Sequence, residues 1–302
     1  MQYKTIYENH AYYPDRIDAL IDFLNPTINV NGKQTKHKLR HARSSNSEDA
    51  LTWSCFDALR MQPYEKTVTA LDEIMRDSFE NKNDLSFMSF NDEKDIRIHI
   101  GKNYSVSINE KTEVDVSFES ENKLVFIEAK LYSKISLPSD TSPYDQIIRK
   151  LRVGLDVAKL ENKQFFFLFL DIAPMNKILK YGEEKAASAK YFKQYKENSL
   201  ALKDKLIENT YDTLEGVTQH MGWLTWASLF KIVLRSIISE TKITEAQTEA
   251  EKDLTISKIN AVLKVLSSKV FEEEKTSINN DANSKRFKLM AQTKLLELIG
   301  RL

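Results

Sequence analysis

Glu113-Val114-Asp115-Val116-Ser117-Phe118-Glu119 and, after a short turn, Leu124-Val125-Phe126-Ile127-Glu128-Ala129-Lys130-Leu131 both alternate with a period of two. Successive side chains of a strand point to opposite faces. The first segment therefore has a polar face (Glu113, Asp115, Ser117, Glu119) and an apolar one (Val114, Val116, Phe118). In the second, Leu124, Phe126, Glu128 and Lys130 share one face, and Val125, Ile127, Ala129 and Leu131 share the other. A carboxylate and an ammonium thus end an otherwise hydrophobic face, where neither can be buried cheaply without a partner. Antiparallel pairing across the turn at 120–123 is expected to bring Asp115 beside Glu128, because both lie at similar distances from that turn.

Two adjacent carboxylates repel unless a cation lies between them. Oxygen-only ligands favour magnesium or manganese over zinc. Lys130, one side-chain period beyond Glu128, is placed to hold or help deprotonate a water attacking a phosphodiester. The bland alternative is a structural Glu128–Lys130 salt bridge at a sheet edge. The acid-any-Lys triplet carries little by itself, since it recurs at 92–94, 121–123, 161–163 and 183–185. Its strand context is what singles out Glu128 and Lys130.

Outward from these strands, Ile96, Ile98 and Ile100 extend the alternation into a three-strand meander. Pro143 marks a helix start, and Ile147, Ile148, Leu151, Leu155 and Ala158 form that helix's apolar stripe. The apolar run 165–170 reads as a strand covered on both faces. A meander, a crossover helix and a buried strand predict an α/β core with helices on both sides. Further helices are expected over 16–24, 48–61 (N-capped by Ser47, stopped by Pro63) and 65–79. Beyond 171 the signal is mainly helical, over 181–209, 223–239, 254–270 and 284–298, with polar connections at 240–253 and 272–283. The expected organisation is one principal domain over 1–240 and a helical extension over 241–302. That extension would be a packed hairpin, an oligomerisation arm or a partner-binding element.

Composition limits the chemistry. The 302 residues, 41% hydrophobic and 29% charged, fit an ordinary globular protein. No run of about 18 apolar residues is present to span a bilayer. The first thirteen residues lack the apolar stretch of a signal peptide, so a cytoplasmic location is expected. The single Cys55 excludes an internal disulfide and cysteine-rich zinc sites; beside Trp53, Phe56 and Leu59 it reads as a core thiol. His10, His99 and His220 lack metal-ligand spacing. With only 7 glycines there is no phosphate-binding loop, so ATP hydrolysis is not expected.

Net charge is zero, so any nucleic-acid contact must come from local clustering. The densest cluster is Lys33, Lys36, His37, Lys38, Arg40, His41 and Arg43, read either as a solvated loop or as a phosphate-contacting segment. Because it immediately precedes Glu48, the phosphate-binding reading of Lys36, Lys38, Arg40 and Arg43 is preferred. Trp223 and Trp226, at i and i+3, read first as helix anchors against the core and second as a base-stacking pair.

Asp115 followed by Glu128-Ala129-Lys130 resembles the signature of the PD-(D/E)XK, or restriction-endonuclease-like, nuclease superfamily. Val114 stands where the signature's proline would be. The resemblance spans about 47–171, and 47–53 is similar to a stretch recurring in bacterial standalone nuclease-like proteins. It implies a mixed central sheet flanked by helices, with Asp115, Glu128 and the Ala129 carbonyl as ligands of Mg2+ or Mn2+ and Lys130 on the attacking water. Glu48 would be an auxiliary acid from the first helix; the alternative is that it only complements the helix N-terminus. Gln146 on the crossover helix would position a water or phosphate, and Arg149 would clamp a phosphate, with an exposed polar helix face as the alternative. Tyr144 reads as packing.

The expectation is therefore a metal-dependent DNA endonuclease of bacterial restriction or phage-defence type, with a homodimer expected by analogy. The alternatives are a catalytically silent nuclease-fold module for nucleic-acid binding or assembly, and an RNA-cleaving effector.

Overall fold

A computed structural model of the chain describes residues 2–30, 33–44, 47–79, 88–105, 111–131, 133–139, 142–172 and 187–241, with the single positions 175, 293 and 295. The chain divides into two compact units, Met1–Ala70 with Leu229–Leu302, and Leu71–Ser228.

In the first unit, α1 (Ile17–Leu24) is followed by the short strands β1 (Ile28–Val30) and β2 (Lys33–Thr35), by α2 (His37–His41) and by α3 (Glu48–Arg60). The basic segment is therefore not an irregular loop. β1 and β2 pair antiparallel with Ile28 opposite Thr35, and a helical turn follows. Ser47 caps α3 by accepting the Ala50 N–H at 3.3 Å, and Glu48 and Asp49 stand in the first turn, where the helix dipole favours acids. Every residue of α3 from Ala50 to Leu59 is buried. Phe23 packs on Trp53 with ring centroids 5.0 Å apart, and the Ala11 N–H donates to Ser54 Oγ at 2.8 Å. The buried Asp57 is paired with Arg60 and, at 3.2 Å, with Arg16. Cys55 is fully enclosed, and burial pushes its thiol pKa up, as befits a packed core thiol.

α4 (Tyr64–Ser78) runs into the second unit, whose frame is a five-stranded mixed sheet in the order β3-β4-β5-β6-β7. β3 (Arg97–Ser105), β4 (Lys111–Glu119) and β5 (Lys123–Ala129) form the expected antiparallel meander. A parallel neighbour needs a crossover, which α5 (Gln146–Leu160) supplies before β6 (Gln164–Asp171) pairs with β5. Asp145, rather than Pro143, begins this helix. Its Oδ1 accepts the Ile147 and Ile148 N–H groups at 2.9 and 3.0 Å, and Oδ2 accepts the Tyr195 hydroxyl at 2.5 Å.

Two expected helices change here. The span 181–209 contains α6 (Ala187–Glu197), a 3-10 turn at Ser199–Leu202 and further turns, while 181–186 lies outside the described residues. The span 223–239 is not one helix. Met221–Thr225 forms β7, parallel to β6, and α8 (Trp226–Thr241) begins only at the second tryptophan; α7 (Leu214–Gln219) precedes β7. Pairing along β6 satisfies the backbone of β7, and Trp223 stacks on Phe169 at 5.0 Å. A tryptophan in a strand and another opening a helix mimic the helical i, i+3 spacing. The helices expected over 254–270 and 284–298 lie outside the described residues, apart from Thr293 and Leu295.

The parallel register puts Leu124, Phe126 and Glu128 on the same face as Phe165, Phe167 and Phe169, and Val125, Ile127 and Ala129 on the other with Phe166, Leu168 and Leu170. α5 lies against the first face, closely enough that a Cβ on Gly154 would run into the Phe165 ring. The second face meets the end of α4, where Phe79 packs edge-on against Phe166 and a Cβ on Gly222 would lie 2.9 Å from that of Ser78. Among the described residues, no helix is long and apolar enough to cross a membrane.

Candidate functional site

The register between β4 and β5 runs from Glu119 opposite Leu124 to Val116 opposite Ile127. One step further it sets Asp115 opposite Glu128, on the face that α5 covers. Here the Asp115 side chain takes part in the strand contact: its Oδ2 accepts the Ala129 N–H at 2.8 Å. The alternation of the two segments therefore does what it predicts, placing both carboxylates on one side of the sheet and next to each other.

Two ammonium groups meet them. Lys130 is ion-paired with Glu128 Oε1, and Lys150, from α5, with Glu128 Oε2. Lys150 Nζ also lies 3.7 Å from Asp115 Oδ1, so it bridges the two acids. The Glu128 side chain is 0% exposed, Lys150 2%, Lys130 8% and Asp115 27%. Among the described residues, neither Glu128 oxygen nor Lys150 Nζ finds a hydrogen bond of acceptable angle, although the charges are in contact. The cluster is held by charge more than by directed bonds.

Burial raises the Glu128 pKa and the neighbouring Asp115 charge adds to this, against the two lysines. Burial also acts upward on Asp115. There Lys150, Lys130 and the Ala129 N–H outweigh it and hold the carboxyl below its ordinary value. A close acid pair with split titration is the usual outcome when two carboxylates share one set of cations.

The backbone of Lys130 is fixed on both sides. Its N–H donates to the Leu170 carbonyl at 2.7 Å, and its carbonyl accepts Trp226 Nε1–H at 3.0 Å. Trp226 is fully buried and thus acts as the core anchor expected of it.

Gln146 stands at the first turn of α5, one turn before Lys150, but its side chain is used locally. Oε1 accepts the Ser136 N–H at 3.1 Å while the Gln146 N–H donates to the Ser136 carbonyl at 2.9 Å. Arg149 is half-buried, its Nε enclosed and without a hydrogen-bond partner among the described residues. Tyr144 lies beneath the Arg152 guanidinium at 4.3 Å, a packing role.

Glu48 belongs to the first unit, half-buried in the first turn of α3. The basic residues of that unit make local contacts: Lys36 Nζ donates to Asn25 Oδ1 at 3.1 Å, Lys38 lies over the Phe23 ring at 4.2 Å, and Arg43 Nη1 donates to the Lys4 carbonyl at 3.4 Å. Arg40 is exposed.

Lys150 is the site residue that the sequence reading missed. Its signal was a lysine set inside the stripe of Ile147, Leu151 and Gly154, where an apolar residue is expected. Among the described residues, no group of three or more His, Cys, Asp or Glu side chains gathers as a metal cage. A cavity of about 620 Å³ lies elsewhere in this unit, lined by Lys159, Lys163, Phe165 and His220 among others, and none of the acid pair borders it. Comparisons with family models, curated proteins and solved structures find no match for the chain.

Proposed function

We propose that the chain is a metal-dependent nuclease with a PD-(D/E)XK-like core that hydrolyses phosphodiester bonds of DNA. The supporting observation is the meeting of Asp115 and Glu128 on one face of the sheet, with Lys130 beside them. Buried carboxylate oxygens without a directed hydrogen bond fit a cation. The donors, Asp115, Glu128 and the Ala129 carbonyl, are all oxygens, as Mg2+ or Mn2+ requires. A divalent ion held there would neutralise charge on the phosphate oxygens.

The chain's own residues do the rest. Lys130, its backbone pinned by Leu170 and Trp226, presents its ammonium to the attacking water. Glu48 is assigned as an auxiliary acid, Gln146 as the residue that seats the start of α5, and Arg149 as a phosphate contact. Lys36, Lys38, Arg40 and Arg43 are assigned to the DNA backbone, which makes affinity steeply salt-dependent. A bacterial restriction or phage-defence role and a homodimer rest on the superfamily resemblance, and a cytoplasmic location rests on the composition.

One observation favours a second reading. Two lysines already balance the charge of the two acids, as in a structural ion cluster, so a catalytically silent nucleic-acid-binding or assembly module also fits.

Incubating the purified protein with plasmid, linear and single-stranded DNA, and with RNA, in Mg2+ or Mn2+ separates these readings. Cleavage of DNA that Lys130→Ala abolishes is the expected result. Binding without cleavage in every metal supports the module, and cleavage confined to RNA redirects the substrate.

A further inference from the structure

We infer that Lys150 is a resident counter-cation of the acid pair, holding Asp115 and Glu128 together in the metal-free protein and giving way when a divalent cation binds. This rests on the metal-site reading above. Among the described residues, four charges meet at the end of β5: two carboxylates, and the ammonium groups of Lys130 and Lys150. Their sum is zero. A divalent ion added to that set would bring an excess of two positive charges against the buried Glu128 and Lys150, and uncompensated charge is strongly disfavoured there.

The two lysines are not equivalent. Lys130 is paired with Glu128 from two residues further along the chain, just past the end of β5, with its backbone fixed at both ends. Lys150 reaches both acids from another element, so it occupies the position between carboxylates that a shared ion requires. Its ammonium is at the end of a four-carbon stem on α5 and makes no directed hydrogen bond among the described residues. Lys150 is therefore the cation that can leave at least cost.

The arrangement also explains why a lysine interrupts the apolar stripe of α5. Without it, the sheet would have to bury two facing carboxylates with one cation whenever metal was absent. Lys150 is thus a positioning residue for the acid pair and a competitor of the ion.

The test is Mn2+ binding by the full chain, measured by calorimetric titration without substrate, for the wild type and for Lys150→Met, whose side chain has similar length and no charge. The variant is expected to bind Mn2+ at least about tenfold more tightly, because a like charge in contact with the ligands has been removed. It is also expected to melt at a lower temperature than the wild type without metal, and to gain more from added Mn2+. Equal or weaker Mn2+ binding by the variant, with the wild type binding normally, overturns the inference and leaves the metal site standing. Failure of both proteins to bind Mn2+ overturns the metal site itself and the inference with it.

Should Lys150→Met not fold, the wild type carries the test. In protein labelled with 13C-lysine, the Lys150 side-chain resonance, assigned by its loss in Lys150→Arg, shifts as Mg2+ saturates the site if the ammonium is displaced. A resonance that stays in place at saturating Mg2+ overturns the inference.

Discussion

The polar face of β4 carries carboxylates at two places, Glu119 and Asp115, and they are satisfied in different ways. Glu119 Oε1 accepts Lys102 Nζ at 2.5 Å and also the Tyr104 hydroxyl, which lies 2.5 Å from Ser117 Oγ; His99 Nε2 stands 3.4 Å from Oε2. Gly101, at φ 67°, interrupts the alternation of β3 where its pairing with β4 skips a step, and Lys102 and Tyr104 reach the Glu119 side. Four residues along, Asp115 and Glu128 meet Lys130 and Lys150 as charges in contact, with little directed bonding. The first is a closed cluster built around one acid. The second puts two acids from adjacent strands against two lysines. Burial alone does not distinguish a structural ion cluster from a candidate centre; the number of acids and the directedness of their bonds do.

The largest effect that would sharpen this contrast comes from removing one cation at each place. Lys130→Ala is expected to reduce DNA cleavage by about 10²-fold or more, whereas Lys102→Ala leaves the cleavage rate unchanged and lowers the melting temperature. Loss of cleavage in a natively stable Lys102→Ala protein would break the distinction. Next in size, Gly154→Ala forces a Cβ into Phe165. It should cost about 1–3 kcal/mol in denaturant unfolding and also lower cleavage, because it displaces the helix that covers the acid pair.

Glu119→Gln removes the charged acceptor of the closed cluster and should cost about 1–3 kcal/mol at neutral pH, with cleavage retained. Burial acts upward on the Glu119 pKa, but His99, Lys102 and Tyr104 outweigh it and hold it well below the ordinary 4.5. Its contribution is therefore fully present above pH 4.5 and lost as pH falls toward the folded value. Thermal unfolding measured as a function of pH should show a shallower acid limb in the variant; an unchanged limb would mean that Glu119 is not held as described. The smallest effect is that of Trp226→Phe, which removes the bond to the Lys130 carbonyl and should cost about 1 kcal/mol, with a cleavage loss smaller than that of Lys130→Ala.

The β-meander, the crossover helix and the pairing of Asp115 with Glu128 were legible in the sequence because a period of two fixes which side chains share a face, and a short turn fixes the register. β7 was not, because five residues with tryptophans three apart satisfy a helical pattern as well as a strand. Lys150 was hidden for a different reason. Its function depends on α5 lying across the acid pair, a tertiary placement that no local spacing encodes. Gln146 was correctly placed on that helix, but its side chain serves Ser136, and the preference of a helix's first turn for local polar contacts gave no warning of it. Glu48 was correctly read as opening α3.

The most direct test of the central claim is anomalous diffraction at the manganese edge from crystals soaked in Mn2+. A peak within bonding distance of oxygens of both Asp115 and Glu128, with the Lys150 ammonium moved away, is the predicted result. Saturating Mn2+ with no peak there, and Lys150 still seated between the two acids, would contradict it.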